Sequence, residues 1–370
     1  MTGLYTKADG KIVTTSSYSS GSMFKECPRR FKLIRIDGWK PRENKASLPF
    51  GRCVESAIEY YFRNDCAPGS GVQEFKRLWS HWEDAELTYT DREGDWYDML
   101  EMGAGHLALF EMKWPSFGWT NPKFQLNGRK ELFPGSEWAG IEDTGYIDIL
   151  AEGKDGPVVV DIKTGAAALD ETPGMMGLDP QLRRYAWMLG VPNVALLQFA
   201  KVSPAVKKGD SVTALVGPRA GTELLVLDVG EDGAVFTLPP SEFAEYKTAS
   251  KSINGKGAKA AGAALLEKHK ANSYCFEDPK NVTRQRMQYL SAVISPEVAT
   301  QTGKEVGQDV AQIKHAADTG NFPQRSGVRW PNNQCTWCPC RGICLGNERL
   351  TADLLIKPTG DDWLDELERE

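Results

Sequence analysis

The sequence contains no stretch of about 18 consecutive apolar residues, the length that a membrane-spanning helix usually needs, so we expect no membrane association. Its opening residues, MTGLYTKADGKIVTTSS, also lack an apolar core. Because a secretory signal peptide depends on such a core, we expect none here. The expected location is therefore the cytoplasm of the protein's own cell or of an infected host cell.

A second missing feature is an excess of positive charge. The 370 residues include 44 lysines and arginines against 50 aspartates and glutamates, which gives a formal net charge of −6. This balance argues against a generally basic nucleic-acid binder but leaves room for a local basic groove. The last ten residues, DDWLDELERE, hold six acids and one arginine, so they carry five of the six net negative charges. The segment 247–270 holds six lysines and one glutamate, which suits either a solvated helix or a path for phosphates.

Histidine is scarce, with four residues, whereas the sequence has eight cysteines. In a cytoplasmic protein, cysteines point to metal binding or redox chemistry rather than to disulfides. Cys335, Cys338 and Cys344 form a C-x2-C-x5-C motif with Cys340 inside it. Thiolates this close together share a metal ion or a cluster. Two alternatives are open: four local cysteines bind one zinc ion, or three of them and a distant fourth bind a 4Fe–4S cluster.

The central part of the chain, residues 145–165, reads GYIDILAEGKDGPVVVDIKTG. Apolar and polar residues alternate on both sides of the turn sequence GKDG, which predicts two strands joined as a hairpin. Asp161 and Lys163 are two residues apart and so share one face of their strand. Strand pairing would bring Asp148 close to them. Two acids and a lysine that converge in this way form a site for a divalent cation with a positive side chain beside it.

A helix with one buried face is predicted at residues 49–63, PFGRCVESAIEYYFR, from its helical spacing of apolar side chains. Glu55 lies on this helix, one turn after Gly51. Its carboxylate is either a solvated helix acid or a ligand for Mg²⁺ or Mn²⁺, which both prefer oxygen.

A second helix is predicted within residues 177–190, GLDPQLRRYAWMLG. Asp179 suits the N-cap and Gly190 the residue that follows the last turn. Gln181 and Tyr185 are four residues apart and share a face. The flanking Arg183 and Arg184 are candidates for gripping a nucleic-acid backbone.

These motifs resemble the RecB-like branch of the PD-(D/E)XK nuclease superfamily. The hallmark of that branch is G-x-x-D, a turn, an apolar-D-x-K-T-G strand and then Q-x-x-x-Y on the next helix. Cys27 followed by proline, together with the C-terminal C-x2-C-P-x4-C, is similar to iron–sulfur exonucleases of the AddB and CRISPR-adaptation types. The resemblance implies an α/β fold: a restriction-endonuclease-like core of a mixed sheet flanked by helices, with a helical N-terminal region and a C-terminal iron–sulfur segment.

The resemblance also implies roles for individual residues. Those that would hold Mg²⁺ or Mn²⁺ are Glu55, Asp148, Asp161 and the carbonyl of Ile162. Those implied for catalysis are Asp148, Asp161, Lys163, Gln181 and Tyr185. Those implied for a 4Fe–4S cluster, with zinc as the lesser alternative, are Cys27, Cys335, Cys338 and Cys344. One departure stands out, because the family carries a histidine where this sequence has Glu55.

The domain organisation follows from these assignments. We expect a helical N-terminal region at 1–122, the nuclease core at 123–203, a β and helical insertion at 204–330, the cysteine segment at 331–348 and an acidic tail at 349–370. The implied function is a metal-dependent DNA exonuclease that acts on single-stranded or frayed ends in a bacterial or phage-infected cell, with protein partners in recombination or DNA processing. The alternative is a non-catalytic iron–sulfur protein that binds DNA ends or serves as an adaptor, as the missing histidine would suggest.

Overall fold

The structure of the protein is a computed structural model. It describes residues 3–90, 93–165, 169, 172–201, 209–214, 219, 221–229, 234–239, 270–272, 276–277, 287–325 and 334–357. The lysine-rich residues 247–269 and the acidic residues 358–370 lie outside the described residues.

Helices and strands alternate along the described chain. The α-helices are α1 Tyr18–Glu26, α2 Pro28–Phe31, α3 Ser47–Arg63, α4 Ser70–Ser80, α5 Trp96–Lys113, α6 Pro180–Leu189, α7 Pro296–Thr319, α8 Arg341–Leu345 and α9 Glu348–Leu354. The strands are β1 Tyr5–Thr6, β2 Ile12–Val13, β3 Thr15–Ser17, β4 Lys40–Pro41, β5 Thr120–Glu131, β6 Glu142–Gly153, β7 Gly156–Gly165, β8 Asn193–Ala200, β9 Ser211–Ala214, β10 Glu223–Val229, β11 Ala234–Leu238, β12 Lys270–Asn272, β13 Phe276–Glu277, β14 Met287–Val293 and β15 Leu355–Ile356. A π-helical turn at Lys32–Ile36 and 3₁₀ turns at Trp114–Phe117, Met175–Leu178 and Gln334–Trp337 complete the described elements.

The central sheet has six strands in the described part of the chain, in the order β14-β8-β7-β6-β3, with β5 paired to β6. The pairs β7–β8 and β3–β6 are parallel, whereas β5–β6, β6–β7 and β8–β14 are antiparallel. The predicted hairpin is therefore β6–β7. The mixed sheet with flanking helices confirms the expected α/β fold class and is consistent with a restriction-endonuclease-like fold.

Two layers of helices cover this sheet. On one face, α3, α4 and α5 pack on side chains such as Val160 and Phe199, and this layer includes the fully buried Trp79. On the other face, α6 and the start of α7 pack on Val159 and Leu196. Since Val159 and Val160 are adjacent on β7, the two layers lie on opposite sides of the sheet. We call them the α3–α5 layer and the α6 layer.

The central sheet takes strands from outside the predicted core segment. The edge strand β14 lies within the segment 204–330, which was expected to be an insertion, and the short β3 lies within the N-terminal region. Strands β9–β13 of the same segment form a separate five-stranded sheet among the described residues. The core is thus assembled from three separate parts of the chain.

The described C-terminal residues fold back onto the N-terminal region. Strand β15 pairs with β4, and the backbone N–H of Arg42 donates to the Leu354 carbonyl at 2.9 Å. Leu33, Cys340 and Leu355 form a small buried cluster beneath this pairing. Residues up to 357 therefore belong to the folded structure, although the sequence suggested a tail from 349 onward. In the described part of the chain, no helix combines the length and apolar character that crossing a membrane requires.

Candidate active site

The candidate site lies where β6 and β7 separate. Their backbone pairing ends at Ile149 and Val160. The next residue of β6 is Asp148, whose Oδ2 accepts the backbone N–H of Ile162 at 2.7 Å. A side chain thereby takes the place of a strand partner, and the two strands open around the Asp148 carboxylate.

Asp161 is the most deeply buried acid of the site, with 1% of its surface exposed. Its Oδ2 lies 2.7 Å from Nζ of Lys163, which is two residues later on β7, and the Lys163 side chain is 45% exposed. Its Oδ1 accepts the side-chain amide of Gln181 at 3.0 Å. Asp161 therefore joins the strand to helix α6, and Lys163 reaches from it to the surface.

Helix α6 is fixed in the way that the sequence predicts. Asp179 caps it by accepting the N–H groups of Gln181 at 2.9 Å and Leu182 at 2.8 Å. The amide of Gln181 also donates to the Tyr185 hydroxyl at 2.7 Å, and that hydroxyl donates to the Tyr146 carbonyl at 2.8 Å. Gln181 and Tyr185 thus connect the Asp161 carboxylate to the backbone of β6.

Close approach of Tyr185 requires a glycine in the G-x-x-D motif. A Cβ atom at Gly145 would lie 2.8 Å from Cε1 of the Tyr185 ring. Helix α3 approaches the site in a similar way, because a Cβ at Gly51 would lie 3.3 Å from Oγ1 of Thr164 on β7. This approach brings Glu55, one turn further along α3, into electrostatic contact with Lys163 and Asp161.

The three carboxyl groups share one electrostatic environment. Burial raises the pKa of Glu55, of Asp148 and of Asp161 to about 7, and in each case a neighbouring carboxylate of the group adds to the rise. Burial lowers the pKa of Lys163, but the carboxylates of Asp161, Asp148 and Glu55 outweigh it, so the pKa is raised overall. Lys163 is therefore the cation of the site at neutral pH, and the acids compete for protons.

The donor chemistry of this site fits Mg²⁺ or Mn²⁺. Glu55, Asp148 and Asp161 offer carboxylate oxygens, and Ile162 offers a backbone carbonyl, which are the ligands that these hard cations prefer. A divalent cation would also offset the mutual repulsion that, after burial, adds to the rise of the three carboxyl pKa values. Within the described residues, no three histidine, cysteine, aspartate or glutamate side chains are already gathered at metal-binding distance.

The cysteines implied by the resemblance line a second site, a cavity of about 280 Å³. The cysteines that line it are Cys27, Cys335, Cys338, Cys340 and Cys344, and they are accompanied by Arg30, Arg325 and Arg341. The structure thus brings Cys27 at the α1–α2 junction to the C-terminal trio. Cys340 is fully buried against Leu33 and Leu355. Every cysteine in the described residues is free of disulfide bonds.

Some charged residues near the site have structural partners instead. Arg184 is buried and forms an ion pair with the buried Asp143, where its Nε donates to Oδ2 at 2.6 Å. The expectation that Arg184 grips a nucleic-acid backbone is therefore wrong, because its guanidinium group is already used inside the protein. Lys201 is likewise buried, 2.5 Å from the Glu93 carboxylate.

Sequence reasoning missed one residue of the site, Gln125 on β5. Its side chain lies beside the Glu55 carboxyl group, and its backbone has a φ of 48°. Glutamine carries no sequence signal for this left-handed conformation, which favours glycine, asparagine and aspartate.

A sequence model of the PD-(D/E)XK nuclease superfamily matches residues 15–345. The chain belongs to the PD-(D/E)XK nuclease superfamily. The match includes the hairpin, helix α6 and all five cysteines of the cavity, and membership supports a hydrolytic, metal-binding nuclease. A comparison with curated proteins gives no match. A solved structure titled "Crystal structure of SSO0001" is similar over 91% of this chain and 88% of that chain, with 11% sequence identity and a TM-score of 0.32.

Proposed function

We propose that this PD-(D/E)XK protein is a DNA exonuclease of the RecB-like iron–sulfur type, which removes nucleotides from single-stranded or frayed DNA ends. One observation carries the proposal: the buried Asp161 carboxylate is held between Lys163 and Gln181, next to Asp148 and Glu55. This arrangement combines acids for a divalent cation with a cation for the phosphate.

The residues that would hold Mg²⁺ or Mn²⁺ are Glu55, Asp148, Asp161 and the carbonyl of Ile162. When bound, the metal ion supplies an activated water and neutralises charge on the scissile phosphate. Asp148 is held in place by the Ile162 N–H. Gln181 and Tyr185 fix the Asp161 carboxylate and the β6 backbone, because the two side chains bond to each other and to both elements.

Lys163 has the role closest to the reacting phosphate. Its side chain is half-exposed and its ammonium group stays charged at neutral pH, because the surrounding carboxylates raise its pKa. It can therefore orient the attacking water or stabilise the negative charge that develops on the phosphoryl oxygens as the P–O bond breaks. The partly exposed side chain leaves this charge available to a substrate.

The proposal includes a 4Fe–4S cluster bound by Cys27, Cys335, Cys338 and Cys344. These cysteines line one cavity although more than 300 residues separate the first from the others. A cluster there would fasten the α1–α2 junction to the C-terminal segment. It would act as a structural cross-link between distant parts of the chain, without a need for electron transfer.

A second candidate function is a non-catalytic iron–sulfur protein that binds DNA ends or adapts them to a partner. The observation that favours it is Glu55, which replaces the histidine of the resembled family. The complete set of Asp148, Asp161, Lys163, Gln181 and Tyr185 favours the nuclease.

The deciding experiment uses anaerobically purified protein and end-labelled single- and double-stranded DNA, with Mg²⁺ or Mn²⁺. The variant is Lys163→Ala, and the matched control is Lys154→Ala, an exposed lysine in the β6–β7 turn. We expect metal-dependent degradation by the wild type and by Lys154→Ala but none by Lys163→Ala, whose fold and iron content stay unchanged. Full activity in Lys163→Ala would refute the assigned site. A folded, iron-loaded wild type that cleaves no substrate would favour the adaptor.

A further inference from the structure

In two neighbouring strands of the central sheet, β5 and β6, the buried side chains switch from one face of the sheet to the other at the same position. On β5, Phe124 packs into the α3–α5 layer, whereas Leu126 packs into the α6 layer. On β6, Ile149 packs into the α3–α5 layer, whereas Ile147 packs into the α6 layer. Residues two apart in a regular strand point to the same side of the sheet. Both strands therefore turn their side chains from one face of the sheet to the other between these pairs.

The residues at the point of rotation are Gln125 and Asp148. The registers Phe124–Ile149 and Leu126–Ile147 place them opposite each other. Gln125 has a φ of 48°, a left-handed backbone that residues other than glycine adopt uncommonly. Because glutamine does not favour this conformation, the surrounding structure holds it there, as often occurs at functional sites.

The rotation has a direct effect on Asp148. In a regular strand Ile147 and Ile149 would share one face of the sheet, and Asp148 would point to the opposite face. Here the Asp148 carboxylate turns toward β7 and accepts the Ile162 N–H at 2.7 Å. The side chain of Gln125 makes a second contact with the site, because its amide lies beside the Glu55 carboxyl group. Gln125 thus adjoins one proposed metal ligand through its backbone and another through its side chain.

We propose that Gln125 is a positioning residue of the metal site, whose left-handed backbone aims Asp148 and whose amide holds Glu55. This inference rests on the proposed metal-dependent function and adds to it a residue that is not itself a ligand. Groups that orient metal ligands through hydrogen bonds change metal affinity by about 10- to 100-fold when they are removed.

The same strand offers a matched control. Asn121 also has a left-handed backbone, with a φ of 49°, and lies at a bulge where the β5–β6 register shifts between Thr120 and Lys123. It is near the closed end of the hairpin, away from Asp148 and Glu55. Substitution of Asn121 therefore tests the effect of a left-handed backbone position without a contact to the site.

The test measures Mn²⁺ affinity by titration calorimetry and thermal stability without metal. Gln125→Gly accepts the left-handed backbone but lacks the amide, whereas Gln125→Val lacks the amide and disfavours the backbone. We expect Mn²⁺ affinity to fall about tenfold in Gln125→Gly and about 100-fold in Gln125→Val. Gln125→Asn, which tolerates the backbone and keeps an amide, should lie nearest to wild type. In Asn121→Gly and Asn121→Val we expect Mn²⁺ affinity within about twofold of wild type, with any change confined to stability.

Each outcome has a distinct meaning. A wild type that binds no Mn²⁺ would overturn the proposed function and the inference together. A wild type that binds Mn²⁺ while all Gln125 variants bind it equally well would overturn only the positioning role, as would a loss of stability without a loss of affinity. If Gln125→Val does not fold, Gln125→Gly and Gln125→Asn decide the question.

Discussion

The carboxylate of Asp148 replaces a strand partner of Ile162, with 2.7 Å between Oδ2 and the backbone nitrogen. This single contact holds the acid at the point where β6 and β7 open. It also fixes the acid in a half-buried place, beside two further carboxyl groups. The folded protein therefore stabilises the protonated form of Asp148, and a measurable dependence of stability on pH and metal follows.

We predict that metal-free wild type loses stability, relative to Asp148→Asn, as the pH rises. Burial, with the Glu55 carboxylate as a second cause, raises the pKa of Asp148 to about 7, whereas an unfolded aspartate has a pKa of about 3.9. The favourable proton binding is complete below about pH 4 and is lost as the pH rises through about 7. The side-chain amide of the Asp148→Asn variant would stay neutral throughout, and its oxygen can still accept the Ile162 N–H.

Urea denaturation in chelator at several pH values measures this difference. The stability of Asp148→Asn minus that of wild type should grow between pH 4 and pH 8. Added Mn²⁺ should close the gap at pH 8 by stabilising only the wild type. A difference that does not depend on pH would contradict the assigned environment of Asp148.

The space around Gly145 leaves no room for a side chain, so we predict that any substitution there destabilises the protein. A Cβ atom there would lie 2.8 Å from the Tyr185 ring, and the Tyr185 hydroxyl is tied to Gln181 and to the Tyr146 carbonyl. Gly145→Ala should therefore destabilise the protein by about 1–3 kcal/mol and reduce cleavage. Gly177→Ala is the control, because a Cβ at Gly177 meets no atom within 4 Å. Equal denaturation midpoints for the two variants would refute this close approach.

The Arg184–Asp143 pair is predicted to stabilise the fold rather than bind DNA. Arg184→Ala would leave a buried carboxylate without its partner, which typically costs about 3–5 kcal/mol. Arg183→Ala is the control, since Arg183 lies 4.0 Å from a half-exposed Glu305, and pairs of that kind contribute about 0–1 kcal/mol. Equilibrium denaturation measures both. The apolar double variant Arg184→Met, Asp143→Leu should recover stability and keep the DNA affinity of wild type. A double variant that folds but no longer binds DNA would contradict a purely structural role for the pair.

We predict that the cysteines of the cavity fall into two classes, those that bind the proposed cluster and one that only packs in the core. Cys27→Ala should lose most iron from anaerobically purified protein, because Cys27 is one of the four proposed ligands. Cys340→Ala should keep about four iron atoms per chain, since Cys340 packs with Leu33 and Leu355. Elemental analysis and the visible absorption spectrum check both variants. Zinc in place of iron, with Cys27 dispensable, would instead support a site made from the four C-terminal cysteines.

The parts of the fold that sequence reasoning predicted are those with local signals. Helix α6 begins after Asp179 and ends before Gly190, as its capping residues indicated. The β6–β7 hairpin also forms as its alternation and turn residues predicted. In each case the deciding interactions lie within a few residues of one another, so the sequence itself contains them.

The parts that were not predicted depend on contacts between residues far apart in the sequence, or on a backbone conformation that no sequence pattern indicates. The partner of Arg184 is 41 residues away, and no local pattern distinguishes a buried arginine from one that faces DNA. Strand β14 joins the central sheet from beyond the second sheet, which only the tertiary structure reveals. The left-handed backbone of Gln125 has no sequence signal, because glutamine is not among the residues that favour this conformation.

The pairing of β15 with β4 has a consequence for how the protein is made. A ribosome releases residues 40–41 long before residues 355–356, and domains fold progressively as the chain emerges. Throughout that interval Leu33 has neither Leu355 nor Cys340 to cover it, and Cys27 has none of its three proposed companions. The nascent protein would therefore expose an unfinished apolar surface and an incomplete thiol set until residues 335–356 have been made, and the proposed cluster could be bound only after that point.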